Sequence, residues 1–572
     1  MTRALGRLAV VAVLVAGWLG GGSSLAWGAQ QREAFVFLVR GIAFRDVQLL
    51  PGTGAALMSG GEDLPADLAA GAPSGARIVD LGSLEVPGSG GSDRSLLHGA
   101  ALRAAWERIG RIVGASSADR ILVIVACTRA PSTERLPLTP ITMASGPPAS
   151  VLPPGSEPVN GLPDRLRALT SDSTRRIGVV SAVDIVPTIR SFLGLAPGSS
   201  GSVIRRTPDP APFTLYERSL ADRRLWFPIQ TAGALYVTAV GLAGIVMFLL
   251  RGRLPTRLVR GTGWLALSVI PLATALLAAG HLPSLSPEIV IPFVVGVTML
   301  SVLAVVPLHR FGTSAPTAAL GAAVLVYFAV EAALGWTAAL TPFLGGSELD
   351  GGRFFGLPNV FIGLLIGSSL FVAARLSPWT GFALVAAVGL FAGLPSLGSN
   401  LGASIALFAA AGLWLVVRTR PRPGWQRFGT AAGVVAAGTG LVLLAHRYLT
   451  STPTHVTRFE EARGGLGAEW GRFVDRLGVG WDLIRSNPFA LVPVIGVVAT
   501  TALVLWPPGS VRIRLALVPE LAQAVTVTLV AGVVAYVAND SGPAATGLAF
   551  GLGLAGLLYV LLASRTGMME AP

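Results

Sequence analysis

The 572-residue chain contains no lysine, and all 43 of its basic residues are arginine. Schiff-base amines and the phosphate-cradling lysine of P-loop enzymes are thereby excluded. Cysteine is reduced to Cys127, which has no partner for an internal disulfide, so any exported part must be held together by packing. Charge is scarce as well: 13% of residues are charged against 52% hydrophobic, and mean hydropathy is strongly positive. That much apolar surface cannot be hidden in a soluble core, so most of the chain faces lipid. The net charge of +13 would suggest nucleic acid in a soluble protein. In a membrane chain it reflects loop arginines that set orientation, and no nucleic-acid partner is expected.

The N-terminus reads "MTRALGRLAVVAVLVAGWLG", with Arg3 and Arg7 ahead of an apolar run from Leu8 to Leu19. Ala26 with Gly28 makes a cleavage site, so residues 1–28 are expected to be a secretory signal peptide, cleaved or kept as an anchor. Residues 30–226 have the mixed composition of a globular domain, which the signal places outside the cytoplasm. Apolar strands are expected at Ala34–Val39 and Ile121–Ala126, with a helix over Leu97–Val113 that carries Leu102, Trp106, Ile109 and Val113 on one face. Strand, helix and strand in that order indicate an α/β sheet. Residues 146–163 read as a loop, and "YERSLADRRLWFP" as a charged neck leading to the membrane.

Residues 231–563 form an all-α polytopic bundle of about 11 helices, from runs of spanning or near-spanning length. The runs are Thr231–Leu250, Thr262–Gly280, Ile289–Leu308, Ala318–Ala338, Leu357–Ala374, Trp379–Leu394, Leu401–Val417, Phe428–Ala445, Phe489–Trp506, Val518–Val537 and Ala544–Ala563. With the first domain outside, alternate connections are cytoplasmic. Those hold Arg251, Arg253, Arg257 and Arg260, then Arg310, Arg375, Arg418, Arg420, Arg422 and Arg427, then Arg512, Arg514 and Arg565, with almost no acid. The pattern obeys the positive-inside rule. It predicts a plasma-membrane protein with membrane lipid around it and residues 564–572 as a cytoplasmic tail.

The same topology puts the remaining polar candidates on the outer side. Glu331 lies inside the fourth span, where an ionisable group is costly and faces a cavity or a partner. It is a candidate site residue, with a structural hydrogen bond to a neighbouring helix as the competing role. Arg353 and Asn359 stand at the mouth of the fifth span, Asn400 in a short outer turn, and His455 and Arg458 in the long outer loop 446–487. For the two asparagines, capping or turn roles compete with catalysis. Within that loop, residues 466–484 space Leu466, Trp470, Phe473, Leu477, Trp481 and Ile484 at intervals of three or four. This is an amphipathic helix, expected to lie flat on the membrane or to pack over the bundle.

"STRRIGVVSAVDIVPTIRSFLGL", residues 173–195, resembles the late segment of the alkaline-phosphatase-like superfamily, which includes sulfatases and phosphodiesterases. The resemblance rests on a strand leading into an Asp-x-x-Pro-Thr helix, here Asp184, Pro187 and Thr188. "ALRAAWERIGRIVGASSADRILVIVA" is similar to the unit before the family's Asp-His metal motif, and "VFLVRG" to its first strand. The similarity covers roughly residues 34–205 and implies that the first and second of these strands are neighbours. The chemistry does not carry over. Arg40 stands where the family has a metal-binding Asp, and Cys127-Thr128-Arg129 where it has Asp-His. Arginine has no lone pair to donate and repels a cation, so no metal and no cofactor is expected. Arg40 and Arg129 would bind an anion or glycan, or else form surface ion pairs. The domain's single histidine, His98, is expected in a helix. Asp184 reads as a helix N-cap rather than a ligand, and Cys127 as a small buried residue. "GGRFFGLPN" and "THVTRFEE" resemble outer-loop segments of bacterial membrane proteins that join a phosphatase-like domain to a many-span module. That likeness implies an architecture and no activity.

Three functions fit these observations. One is a cell-envelope protein with a non-catalytic, phosphatase-like exported domain that binds or scaffolds envelope proteins or glycans. Another is an outer-leaflet transferase or polymerase of polyprenyl-linked glycans, with Arg353 and Arg458 on the diphosphate and Glu331 or His455 as base. The last is a transporter coupled through Glu331. An enzyme requires the outer polar residues to converge on a cavity, whereas a scaffold lets them settle into local hydrogen bonds.

Overall fold

The computed structural model describes residues 31–40, 54–59, 71–83, 107–129, 139–147, 167–196, 201–210, 213–283, 285–336, 355–419, 424–449, 507–539 and 542–563, with isolated positions between them. Among these, eight strands form one mixed sheet: β1 (Arg32–Arg40), β2 (Gly54–Ser59), β3 (Ala76–Ser83), β4 (Arg120–Arg129), β5 (Thr139–Gly146), β6 (Arg167–Thr170), β7 (Val179–Ser181) and β8 (Arg205–Pro210). The order is β3-β1-β4-β5-β2-β6-β8, with β7 also pairing with β2.

β1 runs parallel to both β3 and β4. A strand with parallel neighbours on each side is covered on both faces, which is why Ala34–Val39 is an unbroken apolar run rather than an alternating one. All six of those residues are buried. Ala34, Val36 and Leu38 join Leu122, Ile124 and Ala126 of β4 under helix α1 (Ile185–Phe192), which contributes Ile185 and Ile189. Phe35 and Phe37 point to the other face and stack with their centroids 6.3 Å apart. The expected helix is present over residues 107–113, with Ile109 and Val113 buried. Leu102 and Trp106 lie outside the described residues, as do the signal segment and the amphipathic stretch around Trp470.

Among the described residues twelve further α-helices follow: α2 (Phe213–Leu250), α3 (Thr256–Leu267), α4 (Val269–Ala278), α5 (Pro287–Val305), α6 (Ala315–Ala333), α7 (Ile362–Ala373), α8 (Pro378–Gly393), α9 (Leu401–Arg418), α10 (Gly424–Leu449), α11 (Gly509–Ala516), α12 (Pro519–Ala538) and α13 (Gly542–Ala563). Among the described residues, eight helical stretches are long and apolar enough to cross a membrane, α3 and α4 together making one of them. The expected runs at Leu357–Ala374 and Trp379–Leu394 are helices, but shorter apolar ones. At 1.5 Å per residue, α7 and α8 reach roughly 18–24 Å, short of a hydrocarbon core of about 30 Å. The run at 489–506 lies outside the described residues.

Close backbone approach binds the bundle. A Cβ on Gly363 of α7 would sit 2.0 Å from the carbonyl oxygen of Ala545 in α13, so only glycine fits there. The arginine-bearing connections gather at one end. Arg514 donates to the carbonyl of Leu561 at 2.9 Å, and His309 bonds the Tyr559 hydroxyl at 2.8 Å two residues earlier on α13. Arg418 reaches Glu520 at 3.4 Å. Arg514 is held below the ordinary arginine range by burial and by the charge of Arg251. The segment that leads into β7 bonds Pro395 and Trp336 instead, just past the C-terminal ends of α8 and α6.

Candidate functional site

At the C-terminal end of β1, both ladders slip out of register at Arg40. Arg40 is then paired with Ser83 on one side and Arg129 on the other, so the two strands are neighbours and the two arginines are register partners. The Arg40 guanidinium is half exposed and stands 4.0 Å from the Asp80 carboxylate. That is a surface ion pair of small energetic weight, at most about 1 kcal/mol. The side chain of Arg129 and all of His98 lie outside the described residues. Cys127 is buried. Among the described residues no three His, Cys, Asp or Glu side chains come together as a metal would need.

Asp184 occupies the N-cap position of α1, but its side chain does not cap that helix. It accepts instead from the main-chain N–H of Ser181 at 3.0 Å and of Ser202 at 2.8 Å. Thr188 completes the lashing: its hydroxyl donates to the Asp184 carbonyl at 2.6 Å and accepts from the Ile204 N–H at 2.8 Å. The Asp-x-x-Pro-Thr motif therefore ties the 201–204 segment to the helix. A carboxylate already accepting two backbone donors is a structural anchor.

The α/β domain meets the bundle through two consecutive arginines. Thr174, buried, donates to the Val179 carbonyl at 2.6 Å and closes a turn in which Arg175 takes φ +54°. Arg175 lies 4.7 Å over the ring of Phe355 and donates to the carbonyl of Pro395 at 2.8 Å. Burial lowers its pKa from the ordinary arginine value, and the nearby Asp172 works against that shift. Arg176 is buried and donates to the carbonyl of Trp336. Trp336, also buried, has φ +63°, and its indole N–H donates to the Leu397 carbonyl at 2.8 Å. Its ring packs against Phe328 and Phe391 at 6.4 and 6.0 Å.

Directly beneath this joint lie the polar candidates of the bundle. Glu331, on α6, is 2% exposed and contacts the Nε2 of His281 through Oε1. The Tyr327 hydroxyl approaches the same oxygen at 3.4 Å. The main chain links site and joint, because the Trp336 N–H donates to the Glu331 carbonyl at 2.8 Å. Asn400 caps α9 by accepting from the Ala403 N–H at 3.0 Å. Its amide donates to the Leu357 carbonyl at 2.9 Å and to Oδ1 of Asn359 at 2.8 Å. The two asparagines thus meet each other and close the turn below the aromatic cluster. Arg353, His455 and Arg458 lie outside the described residues.

Four residues that matter here were missed by sequence reasoning. His281 ends the second expected span in "AAGHLPSLSP", and a histidine at a span boundary was a readable signal. Arg175 and Arg176 were visible only as part of a fold motif. Trp336 carried no local signal, because its importance comes from partners on three separate segments. No protein-family model, curated protein or solved structure matches the chain.

Proposed function

We propose that the chain is a bacterial cell-envelope membrane protein whose α/β domain is a degenerate, phosphatase-like, non-catalytic module held on the bundle as a binding or scaffolding platform. The observation that carries this reading is the buried Arg176, whose guanidinium is spent on the Trp336 carbonyl. A buried contact of this kind fixes the domain against the bundle instead of leaving it free on a linker, as a platform requires. Arg40 supports it too, since a guanidinium paired with Asp80 occupies the strand end where the resembled family binds metal. The arginine-rich end of the bundle, away from the sheet, supports an extracytoplasmic domain and a cytoplasmic C-terminus.

The test has two arms on the purified full-length protein. Elemental analysis should find no stoichiometric zinc, manganese or calcium, and no turnover of p-nitrophenyl phosphate that EDTA abolishes. In the host, Arg176→Ala at wild-type protein level should disturb envelope composition. Stoichiometric metal with EDTA-sensitive turnover would overturn the reading.

One observation favours a second reading, in which the bundle transfers polyprenyl-linked glycans. Glu331 is a carboxylate at membrane depth in contact with a half-exposed imidazole, an arrangement suited to moving a proton.

A further inference from the structure

We infer that His281, oriented by Glu331, is the proton acceptor of a group-transfer site at the sheet-side end of the bundle, and that its acceptor substrate is a hydroxyl-bearing amphiphile. The inference rests on the transferase reading and names the residue and substrate class within it.

The geometry divides the pair into a hidden member and an accessible one. The Glu331 side chain is 3% exposed and that of His281 38%. Glu331 Oε1 takes the Nε2 edge of the ring. With a carboxylate as acceptor, Nε2 carries the proton and the lone pair is left on Nδ1. Among the described residues nothing bonds Nδ1. Tyr327 shares the same carboxylate oxygen and fixes it from the helix turn below. A buried acid behind an accessible imidazole is what general-base chemistry requires, because the acid fixes the tautomer and stabilises the imidazolium that forms.

The surroundings select the substrate. His281 closes a short 3-10 turn after α4, and the next residues, Leu282 and Leu285, belong to an apolar cluster with Leu225 and Ile229 of α2 and Val290 of α5. A polar acceptor atom beside partly buried Leu282, over a buried apolar cluster at the end of the spans, suits a molecule with a lipid part and a hydroxyl head. In the step proposed, the hydroxyl proton moves to Nδ1 of His281. The hydroxyl oxygen forms a bond to the anomeric carbon of a polyprenyl-diphosphate-linked sugar. The bond from that carbon to the diphosphate breaks, and its electron pair leaves on the phosphate oxygen.

Two measurements separate the dyad from the reaction assigned to it. Purified full-length protein is treated with diethyl pyrocarbonate, and carbethoxylation is followed by peptide mass spectrometry. His281 should react, and Glu331→Gln should slow it about tenfold while His309, bonded to the Tyr559 hydroxyl, keeps its rate. An unchanged rate at His281 overturns the dyad itself. In the host, His281→Gly and Glu331→Gln should abolish a glycan product of the envelope, and added imidazole should restore it in His281→Gly, which a packing role cannot explain. Full glycan content in His281→Gly, or loss that imidazole never restores at wild-type protein level, overturns His281 as proton acceptor. A reactive, Glu331-dependent His281 with unchanged glycans overturns the substrate class and the transferase reading together.

Discussion

The guanidinium of Arg176 and the main-chain carbonyl of Trp336 satisfy each other across the joint between sheet and bundle. Both residues are buried. Removing the donor leaves a carbonyl in a dry site, which costs about 1–3 kcal/mol. Arg176→Ala is therefore expected to loosen the joint while leaving each part folded. Hydrogen exchange should rise in the 171–178 turn and near Trp336, and stay unchanged in β1 and β4. Arg176→Lys should recover only part of the protection, since an ammonium lacks the planar fork.

Asn400 serves one cap and two long-range bonds within the chain with a single side chain. Asn400→Ala is expected to cost about 1–2 kcal/mol from the cap alone, with more from the stranded Leu357 carbonyl. Asn359→Ala removes only the partner oxygen and should cost less. Melting temperatures in detergent would rank the two, and equal losses would contradict the arrangement described.

Gly363 tests the closeness of α7 and α13. An alanine there would meet the Ala545 carbonyl at 2.0 Å and the Ala549 nitrogen at 2.4 Å, both main-chain atoms that cannot turn aside. Overpacking of this kind costs about 1–3 kcal/mol, so Gly363→Ala should lower both yield and melting temperature. Gly429 on α10 is the control, since an added Cβ meets nothing within 4 Å. Alanine there should be neutral or stabilise by up to roughly 1 kcal/mol.

Asp184 separates a metal ligand from a structural anchor. Asp184→Ala should destabilise the α/β domain by about 2–3 kcal/mol through loss of charge-assisted bonds to Ser181 and Ser202. Its metal content by elemental analysis should equal that of the wild type. A variant that keeps its stability but loses a bound ion would refute the assignment.

These residues also mark how far the sequence could be read. β1 and β4 were legible because a central strand covered on both faces leaves an unbroken apolar run, and Arg32–Arg40 and Arg120–Arg129 bracket the expected segments. That β1 and β4 are neighbours was expected from the family resemblance, not from periodicity, and the register that pairs Arg40 with Arg129 was not legible at all. The cap at Asn400 was legible as a local preference, but its bond to Asn359 was not. Glu331 was legible as a costly residue at membrane depth, yet its partner lies fifty residues earlier. Periodicity reports which face of a helix is apolar and says nothing about which helix it meets. For the same reason the motif that contains Arg175 gave no sign that its side chain reaches Pro395 across 220 positions. Asp184 was legible in place but not in direction, because its carboxylate turns back to Ser181 rather than forward into α1.

The strand order carries a consequence for biogenesis. β2 emerges early, yet it pairs with β5, β6 and β7, and β8 closes the edge beside β6. Gly54 must therefore wait for Arg167, and β8 ends at Pro210, only two residues before the helix that enters the first span. Such non-local pairing is slow. The sheet can zip shut only once the chain has emerged as far as β8, at the threshold of the helix Phe213–Leu250, so a nascent chain stalled before that point would present an unfinished edge.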